Sequence, residues 1–328
     1  MEVNPSPFSK KTRLSLGNNK SLGKNNFSSG KNLEKWCGVK KAVVPIAGLA
    51  TRFLPLSKVL PKELWPLVDK PMIQYTLEEL KASKVFEVIF VISPEKKPVL
   101  AYFKKDEKIK RILKERKKTG FLTEIKKLEE ICQGMKFSFV FQKKPLGDGH
   151  AVLQAEKKMK GEPCLVLYPD DIVKSKIPCA KKLIQIFKKY KRPVMAVSKI
   201  ERRKIPFYGI IGGKKIEMRI YKVEKILEKP SIEMAPSNLA IIGKRIITPE
   251  VFYYLKKVKF RKRGEIGLTE TLAQMVKNKK EILAHEIDGE WLECGNKNLW
   301  LKSNFYLSIK DPLYGKELKR FIKEKKLL

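Results

Sequence analysis

The sequence predicts an α/β fold, in which a mixed, mainly parallel central sheet is flanked by helices. Short apolar runs of strand length recur along the chain, at 42–46, 86–92, 137–141 and 163–168. Runs of this length, rich in Val, Ile and Phe, indicate buried strands. Between the first two, residues 73–83 carry apolar side chains at helical spacing. The order strand, helix, strand implies parallel neighbours joined by a right-handed crossover.

The remaining elements are predicted from the same two patterns, apolar runs of strand length and apolar side chains at helical spacing. Strands are expected at 193–199 and 282–287, and residues 200–247 are expected to form strands and turns. Residues 96–133 form a long, charged segment of helical character. Further helices are predicted at 150–159, 178–190, 249–257, 268–278, 297–309 and 315–326.

Composition predicts one large folded domain with an N-terminal extension. The chain has 328 residues, of which 43% are hydrophobic, enough for a sizeable core. Residues 1–40 are rich in Ser, Asn, Gly and Lys and have no apolar period, which predicts a disordered basic tail. A targeting peptide is the alternative for this tail. We expect a domain over 41–311 and a C-terminal helix within 312–328.

The charge is strongly positive, with 72 Lys and Arg against 35 Asp and Glu, a net +37. A basic cleft for a polyanionic substrate would use only a few of these charges. The lysines are spread over nearly every segment, and the chain has no RNA-binding signature. We therefore expect a solvated basic surface that binds nucleic acid only non-specifically, at low salt.

Neither a membrane span nor a zinc centre is expected. No run approaches the roughly 20 apolar residues of a membrane helix, and the N-terminus lacks the roughly 7–15-residue apolar segment of a secretory signal. The five cysteines form no Cys-x-x-Cys pair, and the chain has only two histidines. Scattered thiols of this kind are typical of a reducing compartment. A cytoplasmic protein is the expectation.

The stretch after the first strand predicts a phosphate site. The strand runs into small residues, Ala47-Gly48-Leu49-Ala50, and then into Thr51-Arg52. Backbone N–H groups in such a turn can face an anion, and Gly permits close approach. Arg52 and Lys62 can add positive charge to the same pocket. An ordinary strand-to-helix turn with scattered basic residues is the simpler alternative.

Two later strands also end in polar groups. Gln142 follows the strand 137–141, and its carboxamide can pair with a donor and an acceptor on a pyrimidine edge. A glycine beside it would let a base approach closely. Asp170 follows the strand 163–168, at the sheet edge where open α/β folds bind ligands, and its carboxylate suits Mg²⁺. Plain turns are the alternative for both segments.

Taken together, these motifs resemble a known family. Gly48, Thr51-Arg52, Pro61-Lys62-Glu63 and the segment from Pro66 to Pro71 have the spacing of the sugar nucleotidyltransferase signature. Among that family the chain resembles the bacterial UTP–glucose-1-phosphate uridylyltransferases. The resemblance covers roughly 41–311 and implies a Rossmann-like nucleotidyltransferase fold.

The resemblance also implies roles for individual residues. Arg52, Lys62 and Lys229 would stabilise charge in the reaction, and Mg²⁺ would bind Asp170 and Glu293. The nucleotide would be bound by Ala47, Gly48, Gln142, Gly147 and Gly149. The sugar would be bound in a subregion at about 200–295, by Gly209, Glu228, Lys229 and Asn238.

The implied reaction transfers a uridylyl group from UTP to glucose 1-phosphate, giving UDP-glucose and pyrophosphate, in a homo-oligomeric enzyme. A thymidylyltransferase, or an enzyme for another sugar 1-phosphate, is an alternative on the same fold. A non-catalytic nucleic-acid-binding or scaffold homologue is the alternative from another class. Its motivation is that Ala50, Gly267 and Glu293 depart from the family pattern, which has Gly, Gln and Asp there.

Glu293 is the departure with the sharpest consequence. Its carboxylate stands one methylene further out than that of the usual Asp. We predict that it still serves the metal, directly or through water. The alternative is an ion pair with Lys297, one helical turn along the chain.

Overall fold

A computed structural model describes residues 38–257 and 264–327. The predicted disordered tail, residues 1–40, therefore lies outside the described residues except for 38–40. Within these three residues, the side chain of Val39 is buried. The strands are β1 Lys41–Pro45, β2 Pro66–Leu67, β3 Lys70–Pro71, β4 Glu87–Ile92, β5 Lys136–Phe141, β6 Cys164–Leu167, β7 Asp171–Lys174, β8 Val194–Lys199, β9 Gly209–Glu217, β10 Ile220–Glu228, β11 Leu239–Ile247, β12 Leu283–Glu286 and β13 Glu290–Glu293. The α-helices are α1 Met72–Ala82, α2 Lys97–Ala101, α3 Glu107–Glu115, α4 Thr119–Cys132, α5 Asp148–Gln154, α6 Glu156–Met159, α7 Cys179–Tyr190, α8 Pro249–Lys257, α9 Leu268–Lys277, α10 Lys297–Lys310 and α11 Gly315–Glu324.

The central sheet has nine strands among the described residues, in the order β5-β4-β1-β6-β11-β8-β12-β10-β9. Strands β5, β4, β1 and β6 are parallel, as are β8 and β12. Strand β11 is antiparallel to both its neighbours, β6 and β8, and β10 is antiparallel to β9 and β12. The mixed α/β sheet is confirmed, but the expectation that it is mainly parallel is wrong. Strands β9 and β10 form a local hairpin, but the pairing of β11 with β6 and β8 joins residues far apart in sequence, which the local residue pattern does not encode.

Burial on both faces explains why the first strands are almost wholly apolar. On β1, Ala42 and Val44 pack toward α1 and α7, while Val43 packs toward α5, α8 and α9. A third apolar cluster, which includes Phe53, Trp65, Leu292 and Leu307, joins the loop after β1 to α10. The sheet is thus a rigid layer between two helical layers, and α10 closes one end of it.

The long helical segment predicted at 96–133 is interrupted. It contains α2, α3 and α4 after a 3₁₀ turn at Pro94–Lys96. Asp106 starts α3 anew by accepting the N–H of Ile109 at 2.9 Å, and Lys117 adopts left-handed backbone beyond its end. Within the described residues, no helix has the length and apolar character that a membrane crossing requires.

Parallel order brings three sequence-distant loops to one edge. The carboxyl ends of β1, β5 and β6 lie on the same side of the sheet, since these strands run in one direction. They lead into residues 46–52, Gln142 and Asp170, respectively. This is the edge at which open α/β sheets bind ligands.

Candidate active site

The loop after β1 presents unused backbone donors. Ile46 N–H is bonded to Val91 O and Phe53 N–H to Ala50 O, but no acceptor for the N–H groups of 48–50 is found in the described part of the chain. A Cβ at Gly48 would meet no atom within 4 Å. The loop therefore has the free N–H groups and the open space that an anion site needs.

Ala50, one of the sequence's departures from the family pattern, adopts the left-handed conformation at φ 51° and ψ 41°. Its carbonyl accepts the Ser57 hydroxyl at 3.0 Å, which helps to hold this turn before the 3₁₀ segment Thr51–Phe53. The left-handed region costs a residue with a Cβ about 1–2 kcal/mol. The loop thus keeps the backbone geometry suited to Gly and bears the strain of an Ala.

We predict that Ala50→Gly raises the free energy of unfolding by about 0.5–1 kcal/mol, because relief of the left-handed strain exceeds the entropy that Gly adds to the unfolded chain. Denaturant unfolding measures this. Ala47→Gly is the matched control: Ala47 lies in the same loop, is buried and lacks a positive φ, so its substitution should destabilise. A loss of stability in Ala50→Gly would contradict the strain assigned to this turn.

Lys62 and Asp170 form an ion pair at the centre of this edge. Their Nζ and Oδ2 atoms lie 2.6 Å apart, and each side chain is about one-fifth exposed, 20% and 19%. Burial opposes both charges, yet the Lys62 ammonium holds the pKa of Asp170 below its usual value, and Asp170 raises the pKa of Lys62. Both groups therefore stay charged at neutral pH, as transition-state stabilisation requires.

A second ion pair anchors the turn that carries Lys62. Glu63, 1% exposed at the side chain, accepts Lys96 Nζ at 2.8 and 2.6 Å through its two oxygens. Lys96 ends the 3₁₀ turn that follows β4, so the Lys62–Leu64 turn is tied to the sheet edge. Removing either partner would leave a buried charge, at a cost of about 3–5 kcal/mol.

Arg52, Asp170 and Glu293 converge on Gly295. A Cβ placed there would lie 3.2 Å from Glu293 Oε1 and 3.8 Å from both Asp170 Oδ2 and Arg52 Nη1. Gly295 thus leaves the space into which two carboxylates and a guanidinium point. The structure brings together four of the residues predicted for the reaction centre, including Lys62.

The Glu293 carboxylate is hydrogen-bonded to Tyr208, the residue before the predicted sugar residue Gly209. The Tyr208 hydroxyl donates to Glu293 Oε2, whereas Lys297 donates to Leu54 O, so the alternative Glu293–Lys297 ion pair is not formed in the described structure. Burial raises the pKa of Glu293, and the neighbouring Asp170 raises it further. Tyr208 was not predicted as a site residue, although its neighbour Gly209 was.

Asp171, beside Asp170, has a structural role. Its Oδ1 accepts Trp291 Nε1 at 2.6 Å and its Oδ2 accepts the N–H of Gly243 at 3.0 Å. These bonds tie the β7–β13 ribbon to β11. Burial, together with the charges of Asp170 and Glu293, raises the pKa of Asp171 to about 7. Its oxygens face the scaffold, so it is not placed with the metal-binding candidates.

The predicted base site is built on β5 and α5. Gln142 Nε2 donates to Gly147 O at 3.0 Å and lies 2.9 Å from His150 Nδ1. A Cβ at Gly147 would lie 2.5 Å from Ile266 O, and one at Gly149 would lie 2.9 Å from the same atom. Packing against Ile266 thus gives one reason for glycine at both positions, and the close approach of a base stays a prediction.

The predicted sugar residues are assembled on the antiparallel end of the sheet. A Cβ at Gly209 would lie 3.0 Å from Glu228 Oε2 and 3.2 Å from Thr269 Cγ2. Asn238 Nδ2 donates to Ile200 O at 3.1 Å. Lys229 has left-handed backbone, φ 49°, an exposed side chain, and an N–H bonded to Tyr208 O at 3.0 Å. Tyr208 therefore contacts both the sugar residues and Glu293.

The donor chemistry of this cluster fits a magnesium ion. The carboxylate oxygens of Asp170 and Glu293, which are hard ligands, face the same space beside Gly295. Their negative charges repel each other, and a divalent cation between them would relieve this repulsion. Within residues 38–257 and 264–327, no three Asp, Glu, His or Cys side chains form a complete metal cluster. Two carboxylates with remaining positions for substrate oxygens are typical of Mg²⁺ bound with phosphates.

One edge of the α/β sheet thus carries a loop with free backbone N–H groups, the Gln142 carboxamide and the cluster of Arg52, Lys62, Asp170 and Glu293. Phosphate, base and metal binding there stay predictions. The nucleotidyl transferase family model matches residues 41–308, so the chain belongs to this family.

Uridylyltransferases and pyrophosphorylases are among the relatives and solved structures to which the chain is similar. A UTP–glucose-1-phosphate uridylyltransferase of Staphylococcus haemolyticus is 36% identical over 286 residues, 87% of this chain and 98% of the relative. A UDP-glucose pyrophosphorylase, solved in complex with UDP-glucose, aligns with a TM-score of 0.75 at 33% identity, over 83% of this chain and 99% of that one. A UTP-bound structure of the Acinetobacter baumannii enzyme gives a TM-score of 0.80 at 30% identity, over 87% of this chain and 99% of its own.

Proposed function

We propose that the protein is a UTP–glucose-1-phosphate uridylyltransferase, which forms UDP-glucose and pyrophosphate. The observation that carries this proposal is the convergence of Arg52, Lys62, Asp170 and Glu293 at the edge formed by β1 and β6. In the sheet order, these two strands lie between β5, which leads to the base pocket, and β9, which starts the sugar pocket. The relatives' names and titles give the substrates.

The proposed chemistry is displacement at the α-phosphorus of UTP. An oxygen of the sugar phosphate attacks, the new P–O bond forms, and the bond to pyrophosphate breaks. The chain's work is alignment and charge stabilisation. Arg52 and Lys62 bind phosphate oxygens, the free N–H groups of 48–50 add uncharged donors, and Lys229 positions the sugar phosphate. Gln142 holds the base, and Gly209, Glu228 and Asn238 hold the sugar.

Magnesium is part of the proposal. Asp170 and Glu293 would hold it, and when bound it would offset negative charge on the phosphate oxygens. Tyr208, through its hydroxyl bond to Glu293, orients one of these carboxylates.

A nucleotide and sugar panel tests the proposal. Pyrophosphate release is measured with UTP, dTTP, CTP and ATP against glucose 1-phosphate, and then with UTP against galactose 1-phosphate. Preference for UTP with glucose 1-phosphate is the expected result. Preference for dTTP or for another sugar would select the alternative on the same fold. No turnover with any pair would favour the non-catalytic homologue.

Glu293 provides a prediction on the metal. Glu293→Gln should lower turnover and shift the Mg²⁺ titration to higher concentration together, because the amide keeps the Tyr208 bond but loses the charge. Glu293→Asp should stay active, since it restores the family's residue. Glu290→Gln, on the exposed side of the same strand, is the matched control. A Glu293→Gln enzyme that titrates and turns over like wild type would leave Asp170 alone with the cation.

A homo-oligomer and a cytoplasmic location complete the proposal. Light scattering during size exclusion tests the first: a monomeric mass at micromolar concentration would exclude a stable oligomer. Fractionation of cells that express the full-length chain tests the second. A protein recovered outside the cytosolic fraction would exclude a cytoplasmic location.

The basic surface gives a salt prediction. With a net charge of +37, the protein should bind RNA at low salt, and counterion release should weaken this binding by orders of magnitude, roughly 10³-fold or more, between 50 and 200 mM salt. Fluorescence anisotropy with two unrelated RNA sequences measures the effect. Equal affinities are expected. Sequence-dependent binding that survives 200 mM salt would revive a nucleic-acid role.

A further inference from the structure

The nitrogen of the Gln142 carboxamide is hydrogen-bonded within the protein. Gln142 is 5% exposed, and its Nε2 lies 3.0 Å from Gly147 O and 2.9 Å from His150 Nδ1. A carbonyl oxygen can only accept a hydrogen bond, so the amide nitrogen must be the atom that faces Gly147. The two amide protons then serve Gly147 and His150.

This arrangement fixes the tautomer of His150. Nδ1 must be an unprotonated acceptor, because it faces a donor. Burial lowers the pKa of His150, which keeps the ring neutral at pH 7. The remaining ring proton is then on Nε2. Gln154 Nε2, one turn further along α5, lies 3.1 Å from this ring nitrogen and donates to His150 O at 3.3 Å.

Because the amide nitrogen of Gln142 is already hydrogen-bonded, its oxygen Oε1 is the atom left to bind a ligand. In the described residues no donor to Gln142 Oε1 is recorded. A fixed carbonyl oxygen matches a base edge that carries an N–H. Uracil has a proton on N3, whereas cytosine has a bare acceptor there, and two facing acceptors repel. An unmatched polar pair in a buried pocket costs binding energy, which gives discrimination.

We infer that His150 is a specificity-determining positioning residue: it holds the Gln142 carboxamide in the orientation that accepts a uracil N–H and rejects cytosine. The inference rests on the proposed function, since it takes Gln142 as the group that faces the base. His150 acts only through Gln142 and needs no contact with substrate.

Two substitutions of matched shape separate this role from packing. His150→Leu places a carbon where Nδ1 stands and removes the acceptor. His150→Asn places a side-chain oxygen the same number of bonds from Cβ and restores an acceptor. The UTP-to-CTP ratio of kcat/KM should fall about tenfold in His150→Leu, the loss of one orienting hydrogen bond. In His150→Asn it should return most of the way to the wild-type ratio.

A double-mutant cycle tests the route. Gln142→Ala alone should lower the same ratio, and adding His150→Leu to it should lower it no further, because the orienting bond has lost its target. Additive effects would show that His150 acts on the base by another path and would overturn the inference. An unchanged ratio in His150→Leu would overturn it as well.

Equilibrium binding of UMP and CMP keeps the test independent of turnover. Calorimetry on the wild type and the same variants should show preference for UMP, reduced in His150→Leu and retained in His150→Asn. A wild type that prefers UMP but forms no UDP-glucose would sink the proposed reaction and leave this inference standing. A wild type that binds UMP and CMP equally would overturn the inference itself. If His150→Leu fails to fold, the UMP preference of His150→Asn decides, and its loss would count against the inference.

Discussion

Lys62→Met is expected to lower kcat by about 10²–10³-fold, the usual effect of removing one charge that stabilises a transition state. Methionine keeps the length and apolar stem of the side chain and removes only the ammonium. The effect should be large because the Lys62 side chain is only 20% exposed, so its charge is weakly screened. Initial rates of pyrophosphate release, at saturating UTP and glucose 1-phosphate, measure it.

The control for Lys62→Met is Lys58→Met. Lys58 lies in the preceding 3₁₀ turn, is exposed, and has no ion pair among those found in the described residues. Its substitution should leave kcat within about twofold of wild type, as expected for a screened surface charge. Equal rates for Lys62→Met and wild type would remove Lys62 from the reaction centre.

Asp170→Asn should have an effect of the same order, about 10²–10³-fold on kcat, and should raise the Mg²⁺ concentration needed for half-maximal activity. The amide keeps the shape of the carboxylate but loses the charge that pairs with Lys62 and would bind the cation. Titration of activity with Mg²⁺ at fixed UTP measures both changes.

Asp171→Asn is the contrasting variant. Because both Asp171 oxygens accept bonds from the scaffold, from Trp291 and from Gly243, an amide there disrupts one of them. It should lower the free energy of unfolding by about 1–3 kcal/mol and leave the Mg²⁺ midpoint near that of wild type. The reverse pattern, with Asp171 governing the metal response and Asp170 silent, would contradict the assignment of these neighbours.

The local pattern of apolar residues predicted the individual helices and strands better than the order of the strands in the sheet. α1 was expected at 73–83 and is Met72–Ala82, and α7 was expected at 178–190 and is Cys179–Tyr190. Both have clear apolar periods. The insertion of β11 between β6 and β8 depends on pairing between residues far apart in sequence, which leaves no local signal. The ribbon of β7 and β13 was missed because each strand has only two apolar residues between charged ends, DIVK and EWLE, and so lacks an apolar run.

The candidate site shows the same limit. Lys62 and Asp170 were predicted as members of one site from the family resemblance, and the structure places them in contact although they are 108 residues apart in sequence. Their direct pairing could not be predicted from the motifs. Nor could the contact of Tyr208 with Glu293, because the two residues meet only when β13 is folded beside β7.

The start of α9 has a consequence for how such enzymes diversify. Ile266 packs on the glycines of the base loop, and three residues later Thr269 packs on Gly209 of the sugar pocket. The residues proposed to bind base and sugar otherwise come from separate stretches of chain, before 175 and after 200. A recombination event that exchanges 200–247 could therefore alter sugar preference and leave base choice inherited from the parent. An exchange that also carries 266–269 would alter the packing beside both proposed pockets, so changes in this short segment would affect the two preferences together.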